Sequence, residues 1–224
     1  MKYSTSKENY IKAIYHLQQE QDVVNTNALA RVLETKPASV TDMLKKLKEQ
    51  KLLQYQPYKG VKLTAEGKKL ALLIIRKHRL WEYFLVSKLG FGWEEVHEIA
   101  EELEHISSKK LIDRLDDFLG NPRTDPHGDP IPDQHGKMPV VHQTRLLELP
   151  LNTPADVISV TNQSTEMLEL LTHKNIGIGT KLEVKKHFSF DKSLELKIQD
   201  QPAFNISEQL AANIYVAYDA TQQA

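Results

Sequence analysis

The chain contains no cysteine among its 224 residues. This absence excludes disulfide bonds and thiolate ligands, so any bound metal must be held by imidazole, carboxylate, amide or water, and a structural zinc finger is disfavoured. The sequence also lacks a run of roughly 18 apolar residues, and residues 1–10 lack the apolar segment of a secretory signal. We therefore expect a cytoplasmic protein without a membrane partner.

The two signs of charge are nearly balanced in number but unevenly placed. The formal net charge is −1, and 40% hydrophobic with 26% charged residues is typical of a soluble globular protein of two or three domains. Residues 1–75 carry 13 Lys and Arg against 7 Asp and Glu, a balance of +6. A basic N-terminal segment on a near-neutral chain indicates a polyanionic partner at that end.

The N-terminal segment shows a helix-turn-helix pattern. Apolar residues recur at helical spacing over residues 6–20, and a second helix is predicted to begin near Thr26 or Asn27. Pro37 then stands where a third helix should start, and the helical spacing continues to about Gln50. Two short helices joined by a tight turn are the signature of this DNA-binding motif.

A predicted hairpin and a set of polar side chains complete the DNA-binding unit. Residues 52–64 read as two β segments around a turn at Lys59 and Gly60, which predicts a wing. Polar and small side chains that open the third helix are expected to reach base edges, and nearby lysines to contact phosphates. The first group is Lys36, Pro37, Ala38, Ser39, Thr41 and Asp42, and the second is Lys45, Lys46, Lys59 and Lys62. The alternative is an ordinary three-helix core with solvated lysines.

Two histidines and two glutamates share one predicted helical face. If the segment is a helix that begins at Trp93, then His97, Glu101, Glu104 and His105 fall at about 0°, 40°, 340° and 80° around its axis. The charged groups on such a face repel one another, or change their protonation, unless a cation lies among them. A divalent metal ion is therefore predicted.

The preceding predicted helix, 65–89, offers a second pair of ligand types. His78 and Glu82 are four residues apart, which places both on one side of that helix. Two helices that together present three imidazoles and three carboxylates favour metal binding over the alternative of acidic faces exposed to solvent.

A zinc-dependent hydrolase is the remote alternative. His97 and Glu98 resemble the start of a zinc hydrolase helix, but Glu101 stands where that motif needs its second histidine. Because no nucleophile, phosphate loop or other catalytic signature accompanies them, we expect no enzyme.

The remaining sequence predicts one more helix, a loop and a small β domain. The helix spans about 108–119 and is expected to expose the apolar side chains Leu111, Ile112, Leu115, Phe118 and Leu119. Residues 120–139 hold five prolines and three glycines, which predicts either a linker or an ordered functional loop. Beyond residue 151, alternating runs at 182–185 and 194–198 with a helix near 164–173 indicate a mostly β domain. No repeat is apparent.

Several of these segments together resemble the diphtheria toxin repressor family of metal-dependent transcriptional regulators, in its manganese-responsive branch with a C-terminal domain. The resemblance covers nearly the whole chain. It rests on Glu8-Asn9-Tyr10-Ile11, Pro37-Ala38-Ser39-Val40-Thr41, Arg76-Lys77-His78-Arg79-Leu80-Trp81-Glu82, His97-Glu98 with Glu104-His105, and Pro126-His127-Gly128-Asp129-Pro130-Ile131-Pro132.

The resemblance implies an α+β multidomain fold. A winged helix-turn-helix would occupy 1–70, a helical metal-binding and dimerisation domain 71–140, and a small β-barrel similar to FeoA modules 150–224. It also implies a homodimer that binds palindromic operators on double-stranded DNA when metal is present and represses metal-uptake genes. The helix at 108–119 would then supply apolar dimer contacts.

The resemblance further implies two metal sites. The first would use His78, Glu101, Glu104 and His105, with Asn9 from the first helix. The second would use Glu82 and His97, helped by His127 or Asp125 and by Gln163 and Glu166. The carboxylate of Glu101 follows the manganese pattern, so Mn(II) is the expected metal, and an Fe(II)-dependent regulator is the alternative. Lys12 stands where some manganese sensors place a glutamate, so no paired-ion site is predicted.

Overall fold

The computed structural model describes residues 3–56, 59–199 and 201–219. The N-terminal part contains α1 (Thr5–Glu20), α2 (Thr26–Val32), α3 (Pro37–Glu49), β1 (Leu53–Gln56) and β2 (Gly60–Leu63). It continues with α4 (Ala65–Leu89), α5 (Val96–Leu103) and α6 (Lys109–Phe118). The C-terminal part contains β3 (Thr144–Arg145), a 3-10 turn (Leu146–Glu148), β4 (Ala155–Val160), α7 (Thr165–His173), β5 (Lys181–His187), β6 (Leu194–Ile198), β7 (Phe204–Ile206), α8 (Glu208–Ala211) and β8 (Ile214–Ala217).

The described residues divide into two compact units that do not follow chain order. The first unit lies within Met1–Trp81, Ile99–Pro122 and Ile131–Pro139. The second lies within Glu82–Glu98, Arg123–Pro130 and Val140–Ala224. None of the described helices combines the length and the apolar character that a membrane span requires.

The first unit is built on the predicted winged helix-turn-helix. The side chain of Asn25 caps α2 by accepting from the Ala28 N–H at 2.7 Å, and Pro37 occupies the first turn of α3, where its missing N–H leaves no donor unsatisfied. Strands β1 and β2 pair antiparallel with Leu53 opposite Leu63. Pro57 and Tyr58 of the predicted hairpin lie outside the described residues. The core of this part includes the fully buried side chains Ile11, Ile14, Leu29, Val40, Leu44 and Leu47.

The second unit contains a six-stranded antiparallel sheet in the order β3-β8-β4-β5-β6-β7. Its core joins the buried face of the alternating strands, with side chains such as Val184 and Leu196, to Leu168 and Leu171 of α7. The alternating runs at 182–185 and 194–198 are strands, as predicted, and the helix near 164–173 is α7. No pairing of β3 with β7 closes the sheet into a barrel among the described residues.

The acidic helix is shorter than predicted. It begins at Val96 rather than Trp93 and ends at Leu103, so that Glu104 and His105 lie in the turn that follows. The next helix, α6, is capped by Ser108, whose Oγ accepts from the Leu111 N–H at 3.3 Å.

The predicted exposure of the helix at 108–119 is only partly right. Ile112, Leu115 and Leu119 are buried within the single chain, where they belong to its core. Leu111 and Phe118 are exposed, at 43% and 65%. The difference arises because side chains three and four apart along a helix face the same side, so the stripe that meets the core is narrower than the whole apolar set.

The proline-rich segment 120–139 is ordered and contains the same turn twice. Asp125 Oδ1 accepts from the N–H groups of His127 and Asp129 at 2.8 and 3.0 Å. Eight residues on, Asp133 Oδ1 accepts from those of His135 and Lys137 at 2.8 and 2.9 Å. Each copy ends on a glycine with positive φ, at Gly128 and Gly136. The shared pattern Asp-x-His-Gly is a short repeat, so the expectation that the sequence contains no repeat is wrong.

Candidate metal centres and DNA-binding surface

His78 of α4 and Glu104 meet in the first unit. His78 Nδ1 lies 2.8 Å from Glu104 Oε2, and both residues are buried. Burial alone raises the pKa of Glu104, but the hydrogen bonds and positive charges of His78 and Lys12 outweigh it and hold that pKa below its ordinary value. Glu104 is therefore an ionised, buried carboxylate, which makes His78 Nδ1 the donor of the shared hydrogen bond.

Lys12 of α1 lies between the two glutamates of this cluster. Its Nζ is 3.0 Å from Glu101 Oε1, and 2.7 and 2.8 Å from Glu104 Oε1 and Oε2. The Lys12 side chain is 14% exposed, that of Glu104 is fully buried, and that of Glu101 is 48% exposed. Of the two ion pairs that Lys12 forms, the one with Glu104 is therefore the more strongly desolvated.

His105 completes the cluster through a residue that the sequence analysis missed. His105 Nδ1 lies 2.8 Å from Glu8 Oε2, and its Nε2 lies 3.7 Å from Glu104 Oε1. Lys77 Nζ lies 3.7 Å from the same Glu8 oxygen. Burial lowers the pKa of Lys77, and the charges of Glu8 and Glu104 offset part of that shift. Glu8 could have been found from its spacing, because it is four residues before Lys12 on α1.

Two buried oxygens of the first unit accept no hydrogen bond. They are Asn9 Oδ1 and Glu104 Oε1, the latter close to Lys12 Nζ but poorly aligned with it. Buried polar atoms are nearly always hydrogen-bonded, so an unsatisfied acceptor calls for another partner. Glu104 Oε1, two imidazoles and the Glu101 carboxylate supply donor types that suit a divalent first-row metal ion, and Asn9 lies on α1, the helix that also carries Lys12. By donor chemistry, the residues present therefore fit the predicted first site.

The second unit contains a separate buried cluster of Glu82, Asp125 and His127. Their ligand atoms all lie within 4.8 Å of one another, with His127 Nδ1 3.9 Å from Glu82 Oε2 and 4.0 Å from Asp125 Oδ1. All three residues are at most 4% exposed. Where the sequence left His127 or Asp125 as alternatives, the structure brings both to Glu82.

The orientation of His127 suits a metal ligand. Its Nε2 lies 2.8 Å from the Trp93 carbonyl oxygen, and because a carbonyl can only accept, Nε2 carries the proton. The neutral imidazole then has its lone pair on Nδ1, the atom that faces the two carboxylates and has no hydrogen-bond partner. Metal-bound imidazoles commonly donate their other N–H to a carbonyl in this way.

The other predicted members of the second site lie around this cluster. His97 Nδ1 is 3.5 Å from Glu82 Oε1, and its side chain is 48% exposed. Gln163 donates instead to Asp129 Oδ2 at 3.1 Å, and Asp129 in turn donates its N–H to Asp125. Glu166 is exposed in the first turn of α7 and is not one of the three residues that meet.

Trp93 supports the second cluster and was also missed. Its ring stacks on His127, with centroids 5.9 Å apart, and its Nε1 donates to Thr172 Oγ1 of α7 at 2.9 Å. The Val160 N–H of β4 donates to the His127 carbonyl at 3.0 Å. The loop at 125–129 is thus fixed to both the helix and the sheet of the second unit, and an aromatic residue before the acidic helix was the available signal.

The predicted DNA-contacting residues form an exposed surface on α3 and the hairpin. Lys36, Pro37, Ala38 and Ser39 are all exposed where α3 begins. Thr41 is half-buried and donates its hydroxyl to the Pro37 carbonyl at 3.0 Å. Asp42 and Lys45 form an exposed ion pair at 3.5 Å, whereas Lys62 lies 3.9 Å from Asp22, and Lys46 and Lys59 are exposed.

Three family models match successive parts of the chain. The iron dependent repressor N-terminal DNA binding domain matches residues 2–61, and the iron dependent repressor metal binding and dimerisation domain matches residues 64–133. The FeoA domain matches residues 144–218. The fold class is thus a winged helix-turn-helix, a helical domain and a FeoA domain, as predicted.

Known proteins similar to the chain are transcriptional regulators, among them an iron-dependent repressor. The iron-dependent repressor IdeR of Mycobacterium tuberculosis is 34% identical over 181 residues, which are 76% of this chain and 79% of the relative. The transcriptional regulator MntR of Oceanobacillus iheyensis is 36% identical over 114 residues, 51% of this chain and 77% of that protein. The chain therefore belongs to the diphtheria toxin repressor family of metal-dependent transcriptional repressors.

Solved structures of manganese-dependent repressors resemble nearly the whole chain. A manganese-dependent transcriptional repressor in complex with manganese is 32% identical, with a TM-score of 0.83, and the match covers 95% of this chain and 100% of that one. ScaR with bound Cd2+ is 31% identical, with a TM-score of 0.77, and the match covers 95% of this chain and 99% of that one.

Proposed function

We propose that this chain is a manganese-responsive repressor that acts in the cytoplasm, binding operator DNA as a homodimer and limiting the expression of metal-uptake genes. Residues 1–70 would bind DNA, 71–140 would bind metal and form the dimer, and 150–224 would form the FeoA-like domain. Each of the two units contributes one metal site. The proposal makes the chain a regulator rather than an enzyme.

The observation that carries the proposal is the set of buried ligand atoms without a hydrogen-bond partner. Asn9 Oδ1 and Glu104 Oε1 lie in the first unit, and His127 Nδ1 lies in the second. Glu104 and His127 each belong to a cluster of imidazole and carboxylate groups of the kind that holds a divalent metal ion, and Asn9 lies on α1, which also carries Lys12 of the first cluster. Buried polar atoms are nearly always hydrogen-bonded, and a bound metal ion would supply the partner for these three.

The first site would be held by His78, Glu101, Glu104 and His105, with Asn9 from α1. When bound, Mn(II) would supply a divalent charge that neutralises the carboxylates and joins α1 to the turn after α5. Because α1 packs in the core of the DNA-binding helices, its position bears on how α3 is presented to DNA. A ligand that favours one arrangement shifts the population toward it in proportion to its differential affinity.

The second site would be held by Glu82, Asp125 and His127, with His97 at its exposed edge. Gln163 would act through Asp129, which positions the Asp125 turn. The exposure of Glu166 leaves that residue outside the proposed ligand set. Since this loop is hydrogen-bonded to β4, the site would stabilise the FeoA-like part of the chain.

Manganese is favoured over iron by the chemistry of the first site. Its predicted donors are oxygen and nitrogen only, and Glu101 supplies a hard carboxylate where a sulfur donor would favour softer ions. The iron-dependent relatives make Fe(II) the second candidate. Operator binding measured with Mn(II) and with Fe(II) distinguishes these two candidates.

The test is operator binding as a function of metal. Duplexes selected from a random pool by the Mn(II)-loaded protein serve as the probe, and fluorescence anisotropy measures binding with chelator, Mn(II), Fe(II) or Zn(II). We expect negligible specific binding with chelator and recovery at micromolar Mn(II), with a dimer in sedimentation. Equal sequence-specific binding without metal would remove the proposed switch, and recovery by Fe(II) at lower concentration than Mn(II) would assign the protein to iron.

A further inference from the structure

The ammonium group of Lys12 lies where a bound cation would balance the acidic residues of the first unit. Its Nζ contacts Glu101 at 3.0 Å and both oxygens of Glu104 at 2.7 and 2.8 Å. These two glutamates belong to the proposed first metal site. Lys12 and a metal ion therefore draw on the same carboxylates.

Burial makes this contact stronger than a surface ion pair. The Glu104 side chain is fully buried and that of Lys12 is 14% exposed, so solvent screens their attraction only weakly. A buried carboxylate without a counter-ion is costly, and Lys12 removes that cost in the absence of metal. Lys12 thus supplies a positive charge from the chain itself, and this charge stabilises the buried glutamate of the proposed metal site.

We propose that Lys12 is an internal competitor that sets the metal concentration at which the first site fills. This inference rests on the proposed function and adds a residue that determines the threshold. Glu104 Oε1 shows why the competition is incomplete: Lys12 Nζ is close to it, yet the oxygen accepts no well-formed hydrogen bond. Lys12 balances the charge of Glu104 and leaves Oε1 as an acceptor that a metal ion could use.

The local charge balance gives the direction of the effect. Glu8, Glu101 and Glu104 contribute three negative charges around the cluster, and Lys12 and Lys77 contribute two positive ones. A divalent ion that enters this cluster meets glutamate charges that the two lysines already balance in large part. Replacing Lys12 with a neutral side chain of similar length keeps the same ligands but leaves more of their negative charge unbalanced. The site should then bind a divalent ion more tightly.

The test measures metal affinity and not DNA binding. Mn(II) binding to Lys12→Met and Lys12→Gln is compared with the unsubstituted chain by equilibrium dialysis. The same variants are also made in a His127→Ala chain, in which only the first site should titrate. Lys7→Met, on the same helix, is the matched control. We expect the Kd for Mn(II) to fall about 10-fold or more in both Lys12 variants, and to stay unchanged in Lys7→Met.

A second readout separates competition from a structural role. The metal-free Lys12 variants should unfold at a lower temperature, and saturating Mn(II) should raise their unfolding temperature by more than it raises that of the unsubstituted chain. A purely structural lysine would weaken metal binding when replaced. Unchanged or weaker Mn(II) binding in folded Lys12→Gln would overturn the inference, whereas a lack of Mn(II) binding in every chain would overturn the proposed function as well.

Discussion

His78 Nδ1 donates a 2.8 Å hydrogen bond to Glu104 Oε2, and this bond connects α4 to the turn after α5. While Nδ1 carries this proton, the lone pair that a metal ion could use lies on Nε2. Metal binding at this site should weaken as the pH falls, because imidazoles and carboxylates bind a metal only in their deprotonated forms. The bond also keeps the two proposed ligands next to each other without metal.

Glu104→Gln should remove metal binding at the first site. The substitution keeps the shape of the side chain but deletes the buried negative charge that faces His78 and Lys12. We expect the Mn(II) affinity of this site to fall by about 100-fold or more, beyond what loss of a supporting residue causes. Isothermal titration calorimetry measures it, with exposed Glu102→Gln on α5 as the matched control. Identical titrations for the two variants would refute the assignment of Glu104.

His127→Ala should remove the second site and leave the first intact. The chain carries a matched control, since His135 occupies the same place in the second copy of the turn but is exposed. Because Trp93 stacks on His127, Mn(II) should quench its fluorescence in the unsubstituted chain and in His135→Ala but not in His127→Ala. A Trp93→Phe variant shows how much of the fluorescence change comes from Trp93 and how much from Trp81. Equal quenching in both histidine variants would contradict the assignment.

Gly128→Ala should destabilise the second unit more than an ordinary glycine substitution. Gly128 has φ +88°, and an added Cβ would overlap the Ile158 carbonyl of β4. Gly120, with φ +79° and open space around it, is the matched control. We expect Gly120→Ala to cost about 1 kcal/mol in the free energy of unfolding, from the backbone conformation alone. Gly128→Ala should cost at least about 3 kcal/mol, measured by urea unfolding, since the loop must also move. Similar costs would mean that the loop is not held against β4.

Lys46→Ala should weaken DNA binding without changing sequence preference. A lysine that contacts a phosphate contributes through counterion release, so its loss should lower the slope of log K against log salt by about 0.9. Lys181→Ala, exposed on β5, should leave both affinity and slope unchanged. Anisotropy titrations over a salt series provide the slopes, and an unaltered slope for Lys46→Ala would place this residue away from the phosphates.

Helix positions, and the helix faces that carry imidazoles and carboxylates, could be predicted from the sequence because both are local. The apolar spacing, Asn25 and Pro37 locate α2 and α3, and the i, i+4 relation of His78 and Glu82 follows from the helix alone. The two clusters could not be assembled in this way, since angular positions on separate helices do not determine distances between them. Lys12 illustrates the limit: nothing local indicates that its amine reaches Glu104, 92 residues away.

Local sequence patterns also did not predict the exact ends of the helices or the residues that support the second cluster. Glu104 lies in the turn between α5 and α6 and not on the helix, and angular spacing alone does not show where a helix ends. Trp93 was expected to begin a helix, yet it stands in a turn where its carbonyl accepts from His127. The repeated Asp-x-His-Gly turn, in contrast, was readable in the sequence, and its two copies differ in burial only because of what packs around them.

The central claim is tested most directly by titrating Mn(II) into the chain in the presence of a selected operator duplex and following DNA binding by anisotropy. The account predicts no specific binding in chelator, saturable binding as Mn(II) is added, and loss of that response in Glu104→Gln while Glu102→Gln retains it. Specific binding of the same affinity with and without Mn(II), or an unchanged response in Glu104→Gln, would contradict it.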